Sequence, residues 1–245
     1  MQIDLNSDLG EGAGTDAEIM PLITSANIAC GGHAGDEATM GATIALALQH
    51  HVAIGAHPGY RDKAGFGRVP LDIPPKALRA DIREQLEALR VVALRAGARV
   101  TRVKAHGALY NQGERDEAVA RTLADAVTDA DPGLILVAPP GSAMAGAAES
   151  AGLRVAREGF IDRAYEADGT LRSRRLAGAL ITDPAMAAAQ ALSFVVDGGV
   201  VAQGARFLSL QTDTLCVHGD TPGAAAILRS VRAALAAAGI AVRPT

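Results

Sequence analysis

The chain has 245 residues, 49% of them apolar, and a formal net charge of -4 at pH 7. That length holds one large α/β barrel or two small domains, with enough apolar residues for a packed core. The acidic balance and the 3% aromatic content argue against nucleic acid as a partner, and no apolar stretch approaches the ~20 residues of a membrane span.

The N-terminal segment MQIDLNSDLGEG is acidic and lacks the basic start and apolar run of a secretion signal, so a soluble cytoplasmic protein is expected. Strand-like apolar runs fall at 3–5, 26–30, 52–56, 100–104, 134–138, 153–156 and 215–217, with helical patterns between them. The clearest helix spans 76–96. Leu78, Ile82, Leu86, Leu89 and Ala93 recur there at steps of three and four, Pro74 and Pro75 precede it, and Gly97 closes it. The last helix is expected to take Thr221 as N-cap and Pro222 as its first residue, with Ile227, Leu228, Val231 and Leu235 as its apolar stripe. Residues 197–211 carry two further strand-like pieces and read as an extra hairpin or an added strand. The two cysteines, Cys30 and Cys216, form neither a CxxC pair nor a disulfide framework and read as buried thiols.

Alternating strands and helices imply parallel strands joined by right-handed crossovers. About seven such units, with no Gly/Ser-rich linker, favour one domain over residues 1–245. A closed or distorted barrel and an open doubly wound sheet both remain open on this pattern.

Polar residues concentrate after the strands. Asn6, Asp8 and Glu11 follow the first, and His33 and Asp36 the second. His57 ends the third, and Lys104 and His106 lie at the end of the fourth. Glu158, Asp162 and Arg163 follow the sixth, and His218 and Asp220 the seventh. In a parallel barrel these loops converge on one face, where barrel enzymes place their chemistry. Glycine is dense in the same loops, as tight turns and close backbone approach to a ligand require. No P-loop, no dinucleotide-binding glycine pattern and no G-x-S-x-G elbow is present, so no ATP site is recognisable.

The segments DLNSDLGEG (4–12), NIACGGHAGDE (27–37), GAHPGYRDKAGFGR (55–68), VKAHGALYN (103–111), EGFIDRAYEADGTLRSR (158–174) and CVHGDTPGA (216–224) together resemble the LamB/YcsF family, in its order and from end to end. Ser7, Gly32 and Ala105 depart from residues that are often Cys, Phe and Pro, and Glu37 and Arg61 stand where Pro is usual. No charged or histidine position is lost. The resemblance implies an α/β fold, a distorted seven-stranded (β/α) barrel of the glycoside hydrolase/deacetylase type. It also implies the A subunit of a 5-oxoprolinase, which converts 5-oxo-L-proline, ATP and water to L-glutamate, ADP and phosphate. The partners would be subunits B and C, which would bind the ATP. A homo-oligomer is compatible with the sequence.

For that reaction the expected catalytic residues are Asp8 as base or metal ligand, His57 and His106 for proton transfer or coordination, and Lys104 for the substrate carboxylate or a developing oxyanion. Asn6, Glu11, His33, Asp36, Glu158, Arg163, His218 and Asp220 are the expected substrate contacts, with Asp220 equally readable as a helix cap. Asp8, His33, His57 and His106 are also ligand types of zinc or manganese sites, so a divalent metal is a further expectation. They lack the local spacing of an H-E-x-x-H helix. Two rival readings are a stand-alone metal-dependent deacetylase or amidase and a non-catalytic binding subunit.

Overall fold

The computed structural model describes residues 1–245. Seven strands run parallel: β1 (Gln2–Leu9), β2 (Ser25–Ala29), β3 (Ala53–His57), β4 (Val100–Lys104), β5 (Ile135–Ala138), β6 (Arg154–Phe160) and, after an intervening hairpin, β9 (Thr214–Cys216). They pair in chain order, and β9 pairs with both β6 and β1, which closes a barrel and removes the open-sheet alternative. The hairpin of β7 (Gly199–Val201) and β8 (Phe207–Ser209) is antiparallel and separate from the barrel, as the strand-like pieces in 197–211 suggest. A short β10 (Ala241–Val242), which the sequence pattern does not reveal, pairs with the start of β1.

The helices are α1 (Asp16–Ile19), α2 (Glu37–Gln49), α3 (Pro75–Arg95), α4 (Gly107–Gly113), α5 (Glu117–Ala130), α6 (Ala143–Ser150), α7 (Pro184–Leu192) and α8 (Ala224–Ala237). The α3 stripe predicted from the sequence is buried, and Gly97 follows the helix with φ of 74°. The start of α8 differs from expectation. Gly223, at φ 77°, is its N-cap, and Thr221 instead donates its hydroxyl to Asp162 Oδ2 at 2.6 Å. The local Thr-Pro signal is overridden by a buried acceptor 59 residues away.

Apolar side chains fill the space between barrel wall and helices, whereas the lumen is largely polar, with Ile135, Val137 and Ala156 forming a small apolar patch of its wall. Asp4, Asn6 and Asp8 occupy alternate positions of β1 and all reach across the barrel, as the two-residue period of a strand dictates. The strand is therefore longer than its apolar run: Asn6, Ser7 and Asp8 belong to β1 itself, and Glu158 likewise lies within β6. At the closed end Asp4 accepts hydrogen bonds from Thr24, Ser25 and Thr214 and pairs with Arg102 at 2.6 Å, while Arg102 also donates to the Thr245 carbonyl. Arg102 is 1% exposed, so Thr245 helps to cover the bottom of the barrel around a buried ion pair. No helix is long and apolar enough to cross a membrane.

Candidate active site

The strand-end loops converge on a pocket of about 660 Å³ at the C-terminal mouth of the barrel. Asp8 ends the inward face of β1, and Lys104 ends β4. Lys104 Nζ lies 3.0 Å from Asp8 Oδ1, 2.9 Å from Glu158 Oε1 and 3.1 Å from Cys216 Sγ. Asn27 bridges the layers by donating to both Asn6 Oδ1 and Asp8 Oδ1. Tyr110 OH donates to the second Glu158 oxygen at 2.8 Å. Both cysteines are free and buried, as read from the sequence.

Burial opposes ionisation of Asp8, but His57, Lys104 and His218 outweigh it and hold the carboxyl well below the usual carboxylate range. His57 is itself pushed down to about 3, by burial first, and so is neutral near pH 7. The standing counter-charge is therefore Lys104, whose amine overcomes its own burial through the adjacent Asp8 and is held well above its ordinary value. The mouth presents an ionised carboxylate already tied to an ammonium.

Beside it stands a second device. Asp162 Oδ2 accepts three hydrogen bonds: from the His218 backbone N–H at 3.0 Å, from His218 Nδ1 at 2.8 Å and from Thr221. A carboxylate on Nδ1 fixes the proton there and leaves His218 Nε2 as an acceptor. The ring stacks on Phe160, lines the pocket and presents a nitrogen within 4.8 Å of an Asp8 oxygen. Burial pushes Asp162 up, but the positive charge of protonated His218 first, and then the hydrogen bonds from His218 and Thr221, bring it down to about 2. A folded-state value below the ordinary 3.8 means that the stabilisation is complete above about pH 4 and disappears as pH falls through 2. We expect Asp162→Asn to lower unfolding free energy by about 2 kcal/mol at pH 5, with the gap to the parent chain closing towards pH 2. Urea unfolding across that range measures it, and a gap independent of pH would refute the assignment.

The third group is a buried histidine cluster. His57 Nε2 lies 3.0 Å from His106 Nδ1, 3.4 Å from Asp8 Oδ2 and 3.6 Å from Glu11 Oε1. Glu11 Oε1 is also 3.1 Å from His106 Nδ1 and 3.0 Å from His33 Nε2. His33 and His106 stack with ring centroids 3.6 Å apart, and His57 stands edge-on to both. Space for the stack depends on glycine: a methyl group at Gly59 or Gly67 would meet His33 at 2.7 Å.

The structure thus gathers Asp8, His57, Lys104 and His106 at one pocket, with Arg163 and His218 in its wall. Other expected contacts are placed differently. Asp36 caps α2 through Thr39, on the surface. Asn6 and Glu158 lie beneath the floor and hold Asp8 and Lys104 in place. Glu11 and His33 sit behind His57 and His106. Asp220 does not cap α8. It is tied to Arg68 and Arg174, which helps link three loops at the rim. In the potential metal set Glu11 takes the place of Asp8, which groups instead with Cys216 and His218.

Tyr110, Arg68, Arg174 and the role of Asp162 are not apparent from residue type alone. Tyr110 had a signal, since it lies four residues after His106 and so on the same helical face. The arginines had none, because their loops owe their course to tertiary contacts.

Comparison with known proteins bears on this site. The LamB/YcsF family model matches residues 3–245. A protein named as the A subunit of 5-oxoprolinase, from Symbiobacterium thermophilum, is 50% identical, over 98% of this chain and 94% of its own length. The crystal structure of a lactam utilization protein from Thermus thermophilus superposes with a TM-score of 0.94 at 44% identity and covers both chains completely. A family 4 carbohydrate esterase from Streptomyces lividans shares the barrel alone, with a TM-score of 0.50 at 7% identity over 98% of this chain and 91% of its own.

Proposed function

The chain belongs to the LamB/YcsF family, and from that premise we propose that it is the A subunit of an ATP-dependent 5-oxoprolinase, the component that opens the lactam ring of 5-oxo-L-proline to give L-glutamate. The observation that carries this reading is the pairing, at one pocket, of the Asp8–Lys104 ion pair with His218, which Asp162 holds from behind. A lactam hydrolase needs a base for water, a proton for the departing nitrogen and a cation near the carbonyl oxygen.

Water held by Asp8 loses a proton to His218 Nε2, the one nitrogen of that ring that Asp162 leaves without hydrogen. The oxygen adds to the lactam carbon, and the C–N bond breaks. The proton on His218 then passes to the ring nitrogen. Lys104 is the nearest fixed cation for negative charge on the carbonyl oxygen, and Arg163, in the pocket wall, suits the substrate carboxylate.

An unstrained lactam is a poor electrophile, and transfer of the γ-phosphoryl group of ATP to its oxygen would activate it. Ring opening then leaves a γ-glutamyl phosphate, whose acyl–phosphate bond a second water cleaves to give glutamate and phosphate. On this reading the phosphorylation and the ATP belong to partner chains, subunits B and C of a cytoplasmic complex, with which the absence of a recognisable nucleotide motif here is compatible.

The test is reconstitution, with glutamate and ADP measured for every combination of the three chains. We expect glutamate only from the complete set with ATP, and at most ATP turnover without ring opening when this chain is omitted. Glutamate from this chain alone without ATP, or undiminished glutamate in its absence, would overturn the reading.

A further inference from the structure

The protons of the histidine cluster can be located from its outer contacts. His57 Nδ1 faces the Lys104 carbonyl at 2.8 Å, and His106 Nε2 faces the Phe66 carbonyl at 2.9 Å. A carbonyl only accepts, so both of these nitrogens carry hydrogen. In neutral rings the opposite nitrogens, His57 Nε2 and His106 Nδ1, are then bare, yet they face each other at 3.0 Å with Glu11 Oε1 only 3.1 Å from the second. Three lone pairs converge in a buried space. That arrangement is repulsive unless positive charge lies among them.

Donor geometry identifies the charge. The His57 and His106 rings meet at 88°, so lone pairs in the two ring planes can meet at one point. An ion with bonds of ~2.1 Å sets neighbouring donors roughly 3.0–3.4 Å apart, and the three separations here are 3.0, 3.1 and 3.6 Å. His33 cannot be a further ligand alongside His106. The two rings are parallel within 3° at 3.6 Å, and no ion lies in both planes. His33 instead donates from Nε2 to Glu11 Oε1. Each of the three donors therefore has an outer partner that fixes its orientation: the Lys104 carbonyl for His57, the Phe66 carbonyl for His106 and His33 for Glu11. This is the usual support of metal ligands. His57 and His106 also border the pocket, which leaves the side towards Asp8 open.

We propose that Glu11, His57 and His106 bind one divalent first-row transition-metal ion through Glu11 Oε1, His57 Nε2 and His106 Nδ1, with His33 as a positioning residue. Such an ion would supply Lewis-acid chemistry beside Asp8. Binding needs neither substrate nor partner chains, so the proposal can fail while the ring-opening reading stands, and the reverse.

The test uses the full chain stripped with a chelator and then titrated with Zn2+ and Co2+ by calorimetry, thermal unfolding and cobalt absorption. We expect one equivalent of each metal and a rise in Tm on binding. Glu11→Gln and His106→Gln should each weaken binding at least about 100-fold, and His33→Asn about 10- to 100-fold. Circular dichroism confirms folding of each variant, and His33→Asn, which removes no ligand, decides the matter should the others unfold. Stoichiometric binding that all three variants leave unchanged would overturn the proposal. So would no binding, together with nitrogen NMR of the histidines showing one doubly protonated ring, because a trapped proton would then be the missing charge.

Discussion

Asp8→Asn should abolish measurable glutamate formation by the reconstituted complex, lowering kcat on the order of 10²-fold or more, the cost of losing the group that positions the attacking water. The substitution is isosteric. The oxygen of the new amide can still accept from Asn27 and Lys104, and Lys104 keeps Glu158 at 2.9 Å, so no buried cation is stranded. Tm should therefore move by only a few degrees, and ATP turnover by the partner chains should persist without ring opening. Steady-state kinetics with separate glutamate and ADP readouts, alongside a melting curve, give the answer. A variant of full activity would remove Asp8 from the chemistry, and a variant that fails to fold would make it a structural residue of the lumen.

The largest stability effect is expected at the other end of the barrel. Arg102→Met leaves Asp4 buried and negative, with Thr24, Ser25 and Thr214 as hydrogen-bond donors but no counter-charge. Removing one member of a buried pair costs about 3–5 kcal/mol, which for a chain of this size is a loss on the order of 10 °C in Tm. The same change frees the Thr245 carbonyl and should loosen its hold on the bottom of the barrel. Asp4→Leu combined with Arg102→Met should recover part of the loss, because the doubly apolar pair buries no charge. Denaturant unfolding of the two single variants and the double variant measures the coupling. Additive losses would show that Asp4 and Arg102 do not act as a pair.

Both residues show where reading the chain in order stops short. Apolar runs locate all seven barrel strands within a few residues, because a strand packed under helices must carry apolar side chains outward. The same rule shortens β1 and β6, since their inner faces are polar. Read with a two-residue period, Asp4, Asn6 and Asp8 fall on one side of a single strand, and that alternation is visible in the segment DLNSDL. Arg102 gives no such sign: within a short apolar run it looks like an outward, solvated residue, and only its cross-barrel distance to Asp4 reveals the pair.

From the sequence alone came the parallel α/β pattern, the gathering of Asp8, His57, Lys104, His106 and His218 at strand ends, and a resemblance spanning the chain. These are local or periodic properties, set by backbone geometry within a few residues. Barrel closure by β9 on β1, the tautomers of His57 and His106, the hold of Asp162 on His218 and the exchange of Asp8 for Glu11 beside the histidines were decided by the tertiary structure. Each depends on which atom of a distant residue lies within hydrogen-bonding or ligating reach, and strand tilt and loop course set that distance rather than residue type.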